Sequence, residues 1–388
     1  MKKLSVLICV LLIAAAFVSV CSAKDDTIKI GWIGSLTGDS ALFGENESDM
    51  IKMLVEETNA NGGLLGKQVE LICYDTKGDA NEAVNATRRL VAQDKVVAIL
   101  GPNASGQAIA IQGVLESAKV PEISNAATNP KVTMNFDEAT GEYTTVKPYN
   151  FRVCFTDPYQ GAIAAGFAYD ELGFTKAAIL YNVADDYSSG LTEFFVDLFE
   201  GKGGTIVAKE AFKTDDVEFK AQLTNIAAAD PEILFVPTYY KEAALIAKQA
   251  RELGITAVLM GGDGWPSDEL FVMAKDALQG AYLVNHLDTN DPDFAELKEK
   301  YHEKWGINLN LNGFLAHDAY VTLVAAIEHA GVAESEAIAQ ALTEVTVQGI
   351  TGTIKLSPED HNPAGKEGAI QVINGDTYDF VMKYGVGE

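Results

Sequence analysis

The chain has 388 residues, with 29 Lys and Arg against 55 Asp and Glu and a formal net charge of −26 at pH 7. That acidic excess excludes nucleic acid and anionic lipid surfaces as expected partners, since both require a basic face. The length suits two domains, each able to bury its own core.

The N-terminus reads first as an export signal. Met1-Lys2-Lys3 is basic, and Leu4–Val20 is apolar apart from Ser5 and Ser19. Cys21-Ser22-Ala23 and the polar Lys24-Asp25-Asp26 follow. A basic start, an apolar run and a small-residue site are the marks of a secretory signal peptide, expected over residues 1–23 with cleavage after Ala23. Lipid attachment at Cys21 is the alternative, although Val20 is larger than the residue usual before a lipidated cysteine. No second long apolar run occurs, so the expectation is an exported monomer, periplasmic or at the cell surface.

Beyond the signal, short apolar runs alternate with helical patterns. Ile28–Ile33 reads as a strand, Gly44–Asn61 as a helix closed by Gly62-Gly63, Val69–Tyr74 as a strand, Ala80–Gln93 as a helix and Val96–Leu100 as a strand. Gln107–Ala118 reads as a helix and Val120–Ile123 as a strand. Residues 136–150 are polar, interrupted by Gly141 and Pro148, and read as an exposed excursion. The rhythm resumes with Ala177–Tyr181, Gly190–Gly201, Thr205–Ala211, Val217–Ala229, Ile233–Pro237, Lys241–Leu253 and Ala257–Met260. Such alternation predicts parallel strands with right-handed crossovers. A helical tail (Pro292–Trp305, Leu315–Ala330, Glu334–Glu344) and three short strands (Gly352–Leu356, Ala369–Ile373, Asp379–Lys383) close the chain. The tail is too long for a simple tandem, so the chain is expected to cross between its halves more than once.

Two loops carry the candidate chemistry. Gly101-Pro102-Asn103-Ala104-Ser105 and Ser124-Asn125-Ala126-Ala127-Thr128-Asn129-Pro130 each follow a predicted buried strand. Free N–H groups and a hydroxyl at a helix start favour a small anion, and the carboxyl ends of parallel strands are where ligands bind. The competing reading is an ordinary strand–turn–helix with Ser105 as N-cap.

Enzyme signatures do not emerge. Gly62–Gln68 lacks P-loop spacing, no G-x-S-x-G, C-x-x-C or H-E-x-x-H occurs, and the five histidines are scattered. In His317-Asp318, neighbours on a helix are expected to point to different faces. Cys73 and Cys154 sit in apolar strand-like runs and read as buried free thiols, with a disulfide as the alternative. No metal or cofactor is expected.

Ile30–Gly44, Asn59–Gly66, Leu100–Ser105, Ala126–Pro130, Lys248–Arg251 and Met260–Trp265 occur in order and together resemble the Leu/Ile/Val-binding protein family of ABC-transporter substrate-binding proteins. The resemblance implies the type I periplasmic binding protein fold: α/β, two doubly wound Rossmann-like lobes joined by three hinge crossings. Lobe 1 is then 24–150 with 286–351, and lobe 2 is 151–285 with 352–388. It implies a non-enzymatic protein that binds an amino acid, branched-chain by the family, and hands it to a membrane ABC permease. By position, Ser105 holds the ligand carboxylate, the Ala126 carbonyl meets the ammonium, Thr128 contributes hydroxyl and backbone contacts, and Asp263 pairs with the ammonium from the other lobe. Tyr239 and Tyr187 are aromatic cleft positions, and Phe43, Asn103 and Trp265 fall in the side-chain pocket. Asn103 departs from the apolar residue of the family. A binder of another amino acid, an amide or an aromatic carboxylate is the alternative on the same fold, and a ligand-sensing receptor domain is a further one.

Overall fold

The structure, a computed structural model, describes residues 27–384. The expected signal peptide, with Cys21, lies outside the described residues.

The first half runs β1 (Thr27–Gly34), α1 (Ala41–Ala60), β2 (Gln68–Asp75), α2 (Ala80–Arg89), β3 (Ala98–Leu100), α3 (Ser105–Ala118) and β4 (Glu122–Ser124). The polar excursion forms an exposed hairpin, β5 (Met134–Asp137) and β6 (Glu142–Val146), before β7 (Asn150–Arg152). The first sheet has the order β2-β1-β3-β4-β7, and all of its pairs are parallel. Its strands are short apolar runs because a parallel sheet is covered on both faces. The helix boundaries have local causes. Asp79 caps α2 by accepting the N–H groups of Asn81 and Glu82.

The second half runs α4 (Asp157–Gly166), β8 (Lys176–Asn182), α5 (Asp186–Gly201), β9 (Thr205–Phe212), α6 (Lys220–Ala229), β10 (Ile233–Phe235), α7 (Tyr240–Glu252), β11 (Val258–Gly261), α8 (Asp268–Ala274) and β12 (Tyr282–Asn285). After it come α9 (Ala295–Trp305), α10 (Leu311–Ala330), α11 (Ser335–Ala341), the hairpin β13 (Val347–Gly349) and β14 (Gly352–Ile354), then β15 (Gly368–Asn374) and β16 (Thr377–Tyr384). The second sheet reads β16-β15-β12-β11-β10-β8-β9, parallel except for the two strands at the β16 edge.

Both sheets reverse their strand order at the same relative place, between β1 and β3 in one and between β8 and β10 in the other. In open α/β sheets the crevice at such a point, at the strands' carboxyl ends, is where a ligand binds. The tail serves both halves. Ala316, Ala319, Tyr320 and Leu323 of α10 share a core with Ile28, Ile30 and Trp32 of β1, whereas Ile370 of β15 packs with Ile179 and Phe235 of the second sheet. Phe151 and Val153, and later Ile354 and Leu356, belong to the first core.

Asp318 ties the tail together. It is buried on α10 and accepts the N–H groups of Ile350 (2.7 Å) and Thr351 (2.9 Å) and the Thr351 hydroxyl (2.6 Å). His317, partly exposed while Asp318 is fully buried, still reaches Asp318 Oδ1 through Nδ1 at 3.0 Å. Cys73 and Cys154 are free thiols.

Candidate functional site

The loop after β3 begins α3 with Ala104, not Ser105, at the cap position, and Ala104 makes no side-chain cap. Ser105 is the first helical residue, and its buried hydroxyl accepts the Asn129 N–H at 3.3 Å. Ser124 binds the two loops together, donating to the Pro102 carbonyl at 2.6 Å and accepting the Ala127 N–H at 3.1 Å. Arg152, fully buried on β7, clamps the second loop by donating to the carbonyls of Ala127 (2.7 Å) and Asn129 (2.8 Å). A lone arginine inside the apolar run Phe151–Phe155 was the available signal for it.

On the opposite side, Tyr187 lies in the first turn of α5 and Tyr239 immediately precedes α7 without capping it, with ring centroids 5.3 Å apart. The Tyr187 hydroxyl accepts the Gly264 N–H at 3.3 Å. Gly264 has to be glycine: a Cβ there would lie 2.8 Å from the Thr238 carbonyl and 3.2 Å from both tyrosine rings. Asp263, in the same turn, is buried and bonds through Oδ2 to His286 Nε2 at 3.0 Å, while its Oδ1 has no partner among the described residues. Burial holds His286 below its ordinary range even against the pull of Asp263, so the imidazole is neutral near pH 7, and its Nε2–H tautomer is the one able to donate to the Asp263 carboxylate. The ring is stacked on Phe155 at 3.6 Å. Asp263 thus has one oxygen engaged by His286 and one open toward the cavity.

Asp157 adds to this environment. It is the first residue of α4, fully buried, and neither carboxyl oxygen has a hydrogen bond among the described residues. Burial pushes it well above the ordinary carboxylate range; the Asp263 charge reinforces the shift, while the nearby Thr128 hydroxyl, short of good hydrogen-bond geometry, and the Arg152 charge oppose it. The Thr128 hydroxyl and both polar atoms of the Gln160 side chain are likewise buried and unpartnered. Buried polar groups normally find partners, and each exception calls for an explanation. Here they gather around one place, beside two carboxyl groups, neither of which forms an ion pair with a Lys or Arg among the described residues.

Phe43, Asn103, Ser105, Ala126, Tyr187, Tyr239, Asp263, Gly264 and Asn312 close around a single small cavity, about 20 Å³ in volume. Of the residues singled out from the sequence, Thr128 sits behind this lining and Trp265 is elsewhere. Trp265 is buried in the second core and donates its indole N–H to the Val236 carbonyl at 3.0 Å, because the turn after Gly261 folds the ring back over the sheet. Gly264, Asn312, Asp157 and Gln160 were not foreseen. Asn312 comes from α10, far along the chain, and only the tail's return brings it here. Among the described residues no cluster of His, Cys, Asp and Glu could hold a metal ion, and no helix is long and apolar enough to cross a membrane.

The Asn129 side chain donates to the Asp186 carbonyl at 2.7 Å, and Lys241 pairs with Asp39 at 2.9 Å. Both contacts join residues of the first sheet's loops to helices of the second, so the two sides of the cavity are in contact.

The family model described as periplasmic binding protein matches residues 27–376. The Leu/Ile/Val-binding protein BraC3 of Rhizobium johnstonii is 31% identical over 321 residues, covering 82% of this chain and 83% of that protein. The leucine binding protein LivK of Thermotoga maritima superposes with a TM-score of 0.84 at 33% identity, covering 92% of this chain and 99% of that one. LivJ from Streptococcus pneumoniae, a branched-chain amino acid transporter substrate binding protein solved in complex with isoleucine, gives a TM-score of 0.81 at 30% identity over the same shares.

Proposed function

Since the chain belongs to the periplasmic binding protein family, among the Leu/Ile/Val-binding proteins and with their type I fold, we propose that it captures one α-amino acid and delivers it to an ABC importer. In this reading it is an extracytoplasmic carrier, not an enzyme, and its partners are the amino acid and a membrane permease. Lobe 1 is residues 24–150 and 286–351, with Phe151, Val153, Ile354 and Leu356 packed onto it, and lobe 2 is the rest of the mature chain. The cavity is the cleft between them.

The observation that carries this reading is the open Oδ1 of buried Asp263, in one cavity with Ser105 at the start of α3. A zwitterion needs acceptors for its ammonium and donors for its carboxylate. Asp263 and the Ala126 carbonyl, both on the cavity wall, supply the first. The Ser105 hydroxyl and the helix-start N–H groups supply the second. Hydrogen bonds to charged groups contribute roughly 1.5–3 kcal/mol each, enough for micromolar or tighter binding after association costs. An aromatic carboxylate without an ammonium would offer no donor to the open oxygen of Asp263, which disfavours that alternative. The relatives' names are the basis for expecting leucine, isoleucine or valine, and the cavity's own residues bear on that choice separately.

Calorimetry with amino acids and their deaminated and decarboxylated analogues tests the proposal. Amino acids should bind and both analogue classes should fail. Equal affinity for an amino acid and its keto acid would overturn it.

A further inference from the structure

We propose that the end of the cavity formed by Asn103 and Asn312 selects a polar, uncharged side chain, one bearing a hydroxyl or a carboxamide. This rests on the amino-acid reading above and names the class of side chain.

Asn103 and Asn312 both line the cavity, one from the loop after β3 and the other from the first turn of α10. The Asn103 amide donates to Asn312 Oδ1 at 3.5 Å, at the outer limit of a hydrogen bond. Each carboxamide can make several hydrogen bonds, so both retain donors and acceptors facing the space between them. An aliphatic side chain there would strip these amides of water and give nothing back.

The layer behind them is polar as well. The Glu47 carboxyl, fully buried on α1, lies against Asn125, Asn103 and the Trp32 indole. Neither Glu47 oxygen, neither polar atom of Asn125 and not the Trp32 N–H closes a hydrogen bond among the described residues. Burial pushes the Glu47 carboxyl up to about 8, so it is neutral at pH 7 and able to donate as well as accept. No charged group stands among the influences on Glu47. The end of the cavity thus offers donors and acceptors without net charge, which fits neither an acidic nor a basic side chain. A pocket built to hydrogen-bond a ligand rejects the analogue lacking the polar group far more strongly than an apolar pocket rejects a missing methylene.

The test is a calorimetric panel of the twenty amino acids against the ligand-free protein, with Thr and Val as one isosteric pair and Asn and Leu as a near-isosteric one. The tightest binder should be Ser, Thr, Asn or Gln, at least tenfold tighter than its aliphatic counterpart. Asn103→Leu, checked for an unchanged fold by circular dichroism, should erase that preference by tenfold or more. An aliphatic, aromatic or charged amino acid as the tightest binder overturns the proposal and leaves the amino-acid reading standing. So does an Asn103→Leu variant that keeps the polar preference. Binding of no amino acid at all overturns both.

Discussion

The Asn129 side chain donates to the Asp186 backbone carbonyl at 2.7 Å, joining the loop after β4 to the first turn of α5. Directly opposite, a Cβ added to Gly190 would lie 2.5 Å from Asn129 Nδ2 and 3.1 Å from Asp157 Oδ2. The bare glycine therefore allows the two sides to come this close.

Gly190→Ala separates closure from folding. Alanine favours the α5 helix by about 0.5–1 kcal/mol over glycine, which offsets part of the crowding against Asp157 and Asn129, so the ligand-free variant should melt close to wild type. Its ligand affinity should fall about tenfold or more, because the methyl displaces Asn129 from Asp186. Differential scanning calorimetry and titration calorimetry read the two effects. Unchanged affinity would show that the closed arrangement is not the binding state.

Asp263→Asn preserves shape and removes charge. Leaving a buried ammonium unpaired costs roughly 3–5 kcal/mol, so affinity should drop by about two to three orders of magnitude. Asp263→Glu should cost less. A turn-forming role predicts the reverse order, but the Asp263 carboxylate bonds to His286 rather than to its own turn. Wild-type affinity in the Asn variant would sink the ammonium assignment.

Glu47 makes stability depend on pH. Its ordinary value of 4.5 is raised by burial to about 8 in the folded protein, so the native state binds the extra proton. The stability it contributes is complete below pH 4.5 and is lost as pH rises toward 8. Glu47→Gln mimics the neutral form. Relative to that variant, the ligand-free wild type should lose on the order of 4 kcal/mol between pH 5 and pH 8 by urea denaturation. Parallel pH profiles would mean the carboxyl is already ionised.

Asp318 behaves oppositely. Burial alone would raise it, but the hydrogen bonds from His317 and Thr351, with the Lys366 charge, outweigh burial and hold it below its ordinary value of 3.8. Its contribution is present above that value and is lost as pH falls through the lower folded one. A Cβ on Gly349 would lie 2.5 Å from Asp318 Oδ2. Gly349→Ala should therefore push the carboxylate off Ile350 and Thr351 and cost about 2–4 kcal/mol at neutral pH, read by thermal melting.

Strands such as β1 and β11 were legible because burial on both faces leaves a continuous apolar run. Helix α4 was not. Its segment Asp157–Gly166 is buried on nearly every side and rich in Ala and Gly, so it shows no polar face to set a period. Asp157 was hidden with it. Ser105 and Asp263 stood out because small and acidic residues in glycine-rich loops after strands are local signals. Asn312 had no such signal, since its place in the cavity depends on where the tail folds back. For Trp265 the neighbouring sequence is the same whether the ring turns into the cleft or into the core. Only the close packing behind Gly261 distinguishes the two.

Phe43 enters from the first turn of α1, yet its ring is embedded in the second core, 5.1 Å from Tyr240 and 6.5 Å from Tyr239. Separating the proposed lobes means pulling this ring out of its socket and wetting it, at about 1.5–3 kcal/mol. The socket therefore works as a press-stud: it biases the empty protein toward the shut form before any ligand arrives. Measured affinity is then a joint property of ligand grip and stud strength. Two carriers with the same polar contacts could differ tenfold or more in affinity through this one ring, without touching selectivity.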